Sequence, residues 1–151
     1  MPMARKLVLD RFLPYRLSVA SNAVSNRISN AYRKRFGLKV AEWRLIAILA
    51  EMPALTPAML GERTRMDKIA VSRAAAALIE RGLVNADNNP ADGRSHFLSL
   101  TDGGCELYAE IAPVALATEA ALFESLTVAE RATLENLLRR VESEALKVGD
   151  E

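Results

Sequence analysis

Residues 56–100 carry a run of chain punctuation that leaves few folds open. Thr56-Pro57 reads as a helix N-cap followed by proline at the first helical position; that helix is short and ends near Arg63 to Arg65. Asp67 caps a second helix that runs to Arg81 and is stopped by Gly82. Leu83-Val84 then leads into the turn-rich Asp87-Asn88-Asn89-Pro90-Ala91-Asp92-Gly93, followed by His96-Phe97-Leu98-Ser99-Leu100. Two short apolar runs around a polar Asn/Pro/Gly loop predict a β-hairpin.

Helices flank this core stretch. A long one starts at Pro14 and stops at Gly37, with Leu17, Ala20, Val24, Ile28 and Ala31 recurring on one face. Its last turn, Arg33-Lys34-Arg35, suits a helix C-terminus through the macrodipole and so need not be a binding patch. A helix over residues 41–52 carries Trp43, Ile46, Ala47 and Leu49 and is closed by Pro53. After the hairpin, Thr101 or Asp102 caps a helix that Pro113 should kink. Thr127-Val128-Ala129-Glu130 is a capping box, and the final helix repeats Leu134, Leu137, Leu138, Val141 and Ala145 on one face.

Two helices joined by a short turn and followed at once by a hairpin make a winged helix-turn-helix. The expected fold class is therefore mainly α with a small β-hairpin wing: a winged helix-turn-helix lobe plus a helical dimerisation region. Residues 1–36 are expected to form an N-terminal helical region, which the family resemblance given below makes a dimerisation helix, 37–101 the lobe and 102–151 C-terminal dimerisation helices. The last two helices cannot pack on a core that the first hundred residues already complete. They need a partner surface, most simply the same helices of a second subunit.

Composition excludes most enzyme chemistry. The chain has 151 residues, half of them hydrophobic, with one cysteine and one histidine. A lone Cys105 excludes an internal disulfide and a thiolate metal cluster within one chain, and a lone His96 excludes multi-histidine sites. No nucleophile–base pair, metal cluster or phosphate loop is visible, so neither catalytic residues, a metal nor a cofactor is expected. No apolar run reaches the roughly 20 residues that span a bilayer, and the N-terminus lacks a small-residue cleavage site. A soluble cytoplasmic protein with no membrane contact is the expectation. The net charge of +1 hides an asymmetry: residues 1–100 hold 16 Lys/Arg against 8 Asp/Glu, and residues 101–151 hold 4 against 11. A basic front meets a polyanion more readily than an acidic tail does.

On the helix that Asp67 caps, Val71, Ala75 and Leu78 share one side and would anchor it. The other side presents Ile69, Ser72, Arg73 and Ala76, with Lys68 at the helix start. Small residues plus an Arg and a Lys suit close approach to a DNA major groove, although small residues also permit tight helix packing. In the hairpin loop Asp92-Gly93-Arg94, the Asp can pin the Arg side chain for contact with phosphates or a narrow minor groove. Helix and hairpin together, in that order, favour DNA.

Several ordered motifs then resemble the multiple antibiotic resistance regulator (MarR) family. They are Glu42-Trp43-Arg44, Met66-Asp67-Lys68-Ile69-Ala70-Val71-Ser72-Arg73, Leu78-Ile79-Glu80-Arg81-Gly82-Leu83-Val84, Asp92-Gly93-Arg94 and Leu98-Ser99-Leu100-Thr101-Asp102-Gly103-Gly104. The resemblance implies a homodimer whose intertwined first and last helices hold two lobes on a palindromic operator in double-stranded DNA. It places Lys68, Ile69, Ala70, Ser72 and Arg73 on the recognition helix, Arg94 on the wing and Asp92 as the residue that orients Arg94. One departure stands out: members commonly carry arginine where this chain has Ala86, followed by acidic Asp87.

The resemblance further implies a repressor released by a small organic effector, often an aromatic or phenolic acid, in a cleft between dimer and DNA-binding regions. Arg16, Asn22, Trp43 and Arg44 would line it, a buried Arg beside an aromatic suiting a carboxylate. Oxidant sensing is disfavoured, because Cys105 is flanked by Asp102 and Glu106 and reads as a small, partly buried residue. Zinc sensing fails for lack of histidines, and His96 reads as a surface residue. A winged-helix protein-interaction module without specific DNA binding is the alternative, and it predicts binding independent of Arg73 and Arg94.

Overall fold

The computed structural model describes residues 5–148, so residues 1–4 and 149–151 of the two expected dimerisation regions lie outside the described residues. A 3-10 turn over Leu9–Arg11 leads into α1 (Leu13–Phe36), α2 (Val40–Glu51), α3 (Pro57–Thr64) and α4 (Lys68–Glu80). A hairpin of β1 (Val84–Asn88) and β2 (His96–Leu100) follows, then α5 (Asp102–Leu122) and α6 (Val128–Val148). The chain is mainly α with one two-stranded antiparallel hairpin, as its punctuation predicts. None of the described helices is long and apolar enough to cross a membrane.

Local chemistry sets the helix ends. Gly37 closes α1 at φ +63°, a left-handed conformation that costs a glycine nothing, and its N–H donates to the Arg33 carbonyl at 3.1 Å. The Thr56 hydroxyl accepts from the Met59 N–H at 3.2 Å to start α3, and the Asp67 carboxylate accepts from the Ala70 N–H at 2.8 Å to start α4. Between α3 and α4, Arg65 takes a left-handed φ of 59° that nothing in the sequence signals. At α6 the capping box forms in both directions: Thr127 N–H donates to Glu130 Oε1 at 2.9 Å and Glu130 N–H to Thr127 Oγ1 at 3.1 Å.

The hairpin differs from expectation in two ways. β1 continues through Asp87 and Asn88, which pair with Phe97 and His96, so the loop shrinks to residues 89–95. Cross-strand backbone pairing overrides the turn preference of Asp and Asn on a strand whose side chains, Val84 apart, face solvent. Leu55 also joins the hairpin, its N–H donating to the Leu98 carbonyl at 3.0 Å and its carbonyl accepting from the Leu98 N–H at 2.8 Å. This bridge roots the wing in the segment between α2 and α3. Further on, α5 continues without a break through Pro113.

The chain divides into two compact units, Met1–Val114 and Ala115–Glu151. Every buried apolar side chain among the described residues falls between Tyr32 and Ile111, so the core belongs to the first unit. Leu45, Ile46 and Leu49 of α2, Leu60 of α3, and Val71 and Leu78 of α4 are its centre. In the second unit α6 has no buried residue, and Leu137, Leu138, Val141 and Leu146 are all exposed. Arg131 pairs with Glu119 at 3.5 Å and lies 5.9 Å from the centre of the Phe123 ring.

A close approach locks the start of α5 to the end of α4. The Thr101 hydroxyl donates to the Gly82 carbonyl at 2.7 Å and accepts from the Gly104 N–H at 3.0 Å, so Thr101 rather than Asp102 caps α5. Gly104 is buried, and a Cβ there would press into the Leu83 carbonyl oxygen. Relief would need backbone movement. Gly104→Ala is expected to lower stability by about 1–3 kcal/mol or more, read as a fall of several degrees in the midpoint of thermal unfolding. An unchanged midpoint would show that this contact does not clamp α5.

Candidate nucleic-acid interface

The exposed side of α4 is what packing leaves over. Val71, Ala74, Ala75 and Leu78 are buried, a helical spacing that turns one face of α4 onto α2 and α3. Lys68, Ile69, Ser72, Arg73 and Ala76 are then exposed, and Ala70 is half-buried at the edge. Ile69 is 65% exposed, an apolar side chain of the kind that contacts a thymine methyl. Lys68 stands at the N-terminal end of α4, where the helix dipole favours an anion. Among the described residues, neither Lys68 nor Arg73 has a carboxylate partner. The helix therefore offers two uncompensated cations beside a strip of small side chains.

The wing presents Arg94 in the loop between β1 and β2, fully on the surface. Here the structure corrects the expectation for Asp92. Its Oδ1 accepts from the backbone N–H of Arg94 at 3.0 Å, while its carbonyl accepts from the Ser95 N–H at 3.1 Å. An amide two residues along is within easy reach of the short Asp side chain, so the carboxylate closes an Asx turn rather than pinning the guanidinium. Asp92 shapes the loop, and Arg94 is exposed on it. Ala86 and Asp87 are exposed on β1.

The residues proposed for an effector cleft are not gathered by one chain. Arg16 is exposed and pairs with Asp10 at 3.2 Å, and Asn22 and Arg44 are exposed as well. The expected buried Arg beside an aromatic is absent among these four. Trp43 is half-buried, its ring 5.1 Å from Tyr32 and 6.4 Å from Tyr108, nearly parallel to the latter at 11°. Tyr32 lies 16 residues after Arg16 on α1, which sets the two about 24 Å apart along the axis. Burial raises the pKa of the Tyr32 phenol above its ordinary value. Aromatic stacking across α1, α2 and α5 therefore gives Trp43 its place, and the sequence periodicity, which stopped at Ala31, did not reveal Tyr32 or Tyr108 as its neighbours.

Cys105 is exposed rather than partly buried, because it lies on the outer side of the turn whose inner side is Gly104. It rims a hollow of about 260 Å³ with Leu49, Pro53, Leu100 and Tyr108. His96 is exposed on β2. No group of three or more His, Cys, Asp or Glu among the described residues could hold a metal ion. Sequence reasoning missed one structural cation, Arg81. Its Nη1 donates to the Gly37 carbonyl at 3.3 Å and its Nη2 to the Phe36 carbonyl at 3.2 Å, which joins the C-terminal ends of α1 and α4.

Known proteins share this arrangement. The sequence model of the MarR family matches residues 36–95, which cover α2 through the wing loop. Over 123 residues the chain is 30% identical to the multiple antibiotic resistance protein MarR of Escherichia coli, covering 80% of this chain and 84% of that protein. A proposed transcriptional regulatory protein for the hcr operon of Thauera aromatica is 27% identical over 105 residues, and the chain spans 63% of its length. A crystal structure of mutant E. coli MarR complexed with operator DNA superposes with a TM-score of 0.79 at 27% identity, covering 91% of this chain and 99% of that one. The family consists of transcriptional regulators, not enzymes. By fold, motif order and kinship, the chain belongs to the MarR family of winged helix-turn-helix, DNA-binding transcriptional regulators.

Proposed function

We propose that this regulator acts in the cytoplasm as a homodimer that binds a palindromic operator and represses transcription until a small aromatic or phenolic acid releases it. The observation that carries the DNA half of this reading is the outward face of α4, where Lys68 and Arg73 lack carboxylate partners, beside a wing that extends Arg94. Lys68, Ile69, Ala70, Ser72 and Arg73 read the major groove, and Arg94, on a loop shaped by Asp92, reaches the adjoining phosphates or minor groove. E. coli MarR, solved with operator DNA, supports the assignment.

The dimer half rests on α6. A 21-residue helix with no buried residue, and with Val141 53% exposed in its apolar stripe, has no core of its own. A second copy of the same stripe covers it most simply, since like faces are self-complementary under two-fold symmetry. The effector enters a cleft between the dimerisation and DNA-binding regions, where Trp43 and Arg44 offer a ring and a guanidinium to an aromatic carboxylate, and Arg16 and Asn22 join them only through the partner protomer.

Binding of the purified protein to the intergenic DNA beside its own gene, followed by fluorescence anisotropy at several salt concentrations, tests this reading. Arg73→Ala is expected to cost about 1–3 kcal/mol and to relax specificity at one base pair. Arg94→Ala should weaken binding evenly across sequences and lower the salt slope by about 1. Operator affinity unchanged in Arg73→Ala would reject the recognition-helix assignment and favour a winged helix turned to protein contacts. For the dimer, Leu138→Glu should convert the protein to a monomer in sedimentation velocity. A dimer that survives this change at micromolar concentration would rule out the α6 stripe as the interface.

A further inference from the structure

Resting on the DNA-binding reading above, a second basic surface remains unused by the recognition helix and the wing. Arg33, Lys34 and Arg35 fill the last turn of α1 and are all exposed, and Lys39 is exposed just before α2. Arg81 completes the corner, its guanidinium held on the carbonyls of Phe36 and Gly37. Those partners are neutral, so its charge is not cancelled. Among the described residues none of the five pairs with a carboxylate. Of the acidic side chains on the adjoining helix ends, Glu42 is buried and its carboxylate accepts from the Lys39 backbone N–H at 3.3 Å, and Glu80 is the exposed one.

The macrodipole accounts for cations at a helix C-terminus, but only for some tenths of a kcal/mol to about 1 kcal/mol per group. It accounts for Arg81 at the C-cap of α4 as well, but not for Lys39, a cation at the N-terminal end of α2. The two Arg81 hydrogen bonds tie this corner to the C-terminal end of α4. α4 has 13 residues, so it is about 20 Å long. The major groove is about 12 Å wide. Such a helix, seated across the groove by its N-terminal residues, is long enough to reach one of the flanking phosphate strands. In that pose the corner fastened to the end of α4 has backbone within reach and no bases.

We propose that the corner formed by Arg33, Lys34, Arg35, Lys39 and Arg81 is a second phosphate-binding surface, which holds the DNA backbone flanking the bases read by α4. It adds affinity and orientation and carries no sequence preference. DNA phosphate is the partner favoured over other polyanions, because the corner is fastened to the recognition helix itself.

The test compares the parent with a triple variant, Arg33→Gln, Lys34→Gln and Arg35→Gln, by anisotropy across a salt series. Two duplexes are used: the intergenic operator fragment and a scrambled one of equal length. If the corner holds two or three phosphates, the salt slope falls by about 2 to 3 on both duplexes and affinity at 0.15 M salt drops about 10- to 100-fold. The operator-to-scrambled ratio stays as in the parent. Slopes equal to those of the parent on both duplexes overturn the proposal. A lowered slope in the variant of a parent that itself never distinguishes operator from scrambled DNA supports this corner and rejects the sequence-specific reading, so the two failures are separable. Should the triple variant unfold below the parent midpoint, Lys34→Gln alone is read instead. It is expected to lower the slope by about 0.9 if that lysine neutralises one phosphate, and an unchanged slope there counts against the proposal.

Discussion

The burial of one face of α4 against α2 and α3 is the constraint on which the rest depends. Val71, Ala74, Ala75 and Leu78 face inward, and two of the four are alanines, which lets the helix backbones approach closely. Close approach leaves α4 no freedom to rotate, because a turn of 100° would expose Val71 and Leu78 and bury Arg73 or Lys68. Burying an unpaired cation costs several kcal/mol, more than a leucine gains by burial. The apolar face thus decides by elimination which residues α4 turns outward. The outward face of α4, proposed above to read DNA, is a consequence of its core.

Around that seam, backbone groups do the fastening. The wing would be a marginal two-stranded ribbon by itself, but Leu55 pairs with Leu98 and roots it beside α3. Thr101 both donates to Gly82 and caps α5, so the end of α4, the base of the wing and the start of α5 meet at one hydroxyl. Gly104 permits the meeting because a side chain there has no space. Arg81 adds the end of α1 to the same region. These contacts tie the ends of α1 and α4, the wing and the start of α5 together within the first unit.

The second unit obeys the opposite rule. Its apolar stripe of Leu137, Leu138, Val141 and Leu146 is exposed, and its ion pairs, Arg139–Glu135 and Lys147–Glu144, are exposed pairs of small energetic worth. Neither feature stabilises two helices in isolation. The segregation of charge fits this division of labour: a basic first hundred residues for a polyanion, and an acidic remainder that does not compete for it.

Much of this was legible in the residue order. Helix ends follow from local hydrogen bonding, and Gly37, Thr56, Asp67, Gly82 and Thr127 act where side-chain chemistry says they should. The hairpin, the inner face of α4 and the motifs shared with the MarR family could likewise be read without coordinates. What could not be read are contacts between residues far apart in sequence. Leu55 with Leu98, Arg81 with Gly37 and Trp43 between Tyr32 and Tyr108 have no periodic signature. Asp92 shows the same limit at short range, since two donors of Arg94 compete for one carboxylate and only the folded loop selects the backbone N–H. Sequence by itself determined the elements and the outward-facing cations, because capping and periodicity are local. Tertiary structure alone decided how the elements are fastened and which candidate residues share a site, because those depend on packing distances that no local pattern encodes.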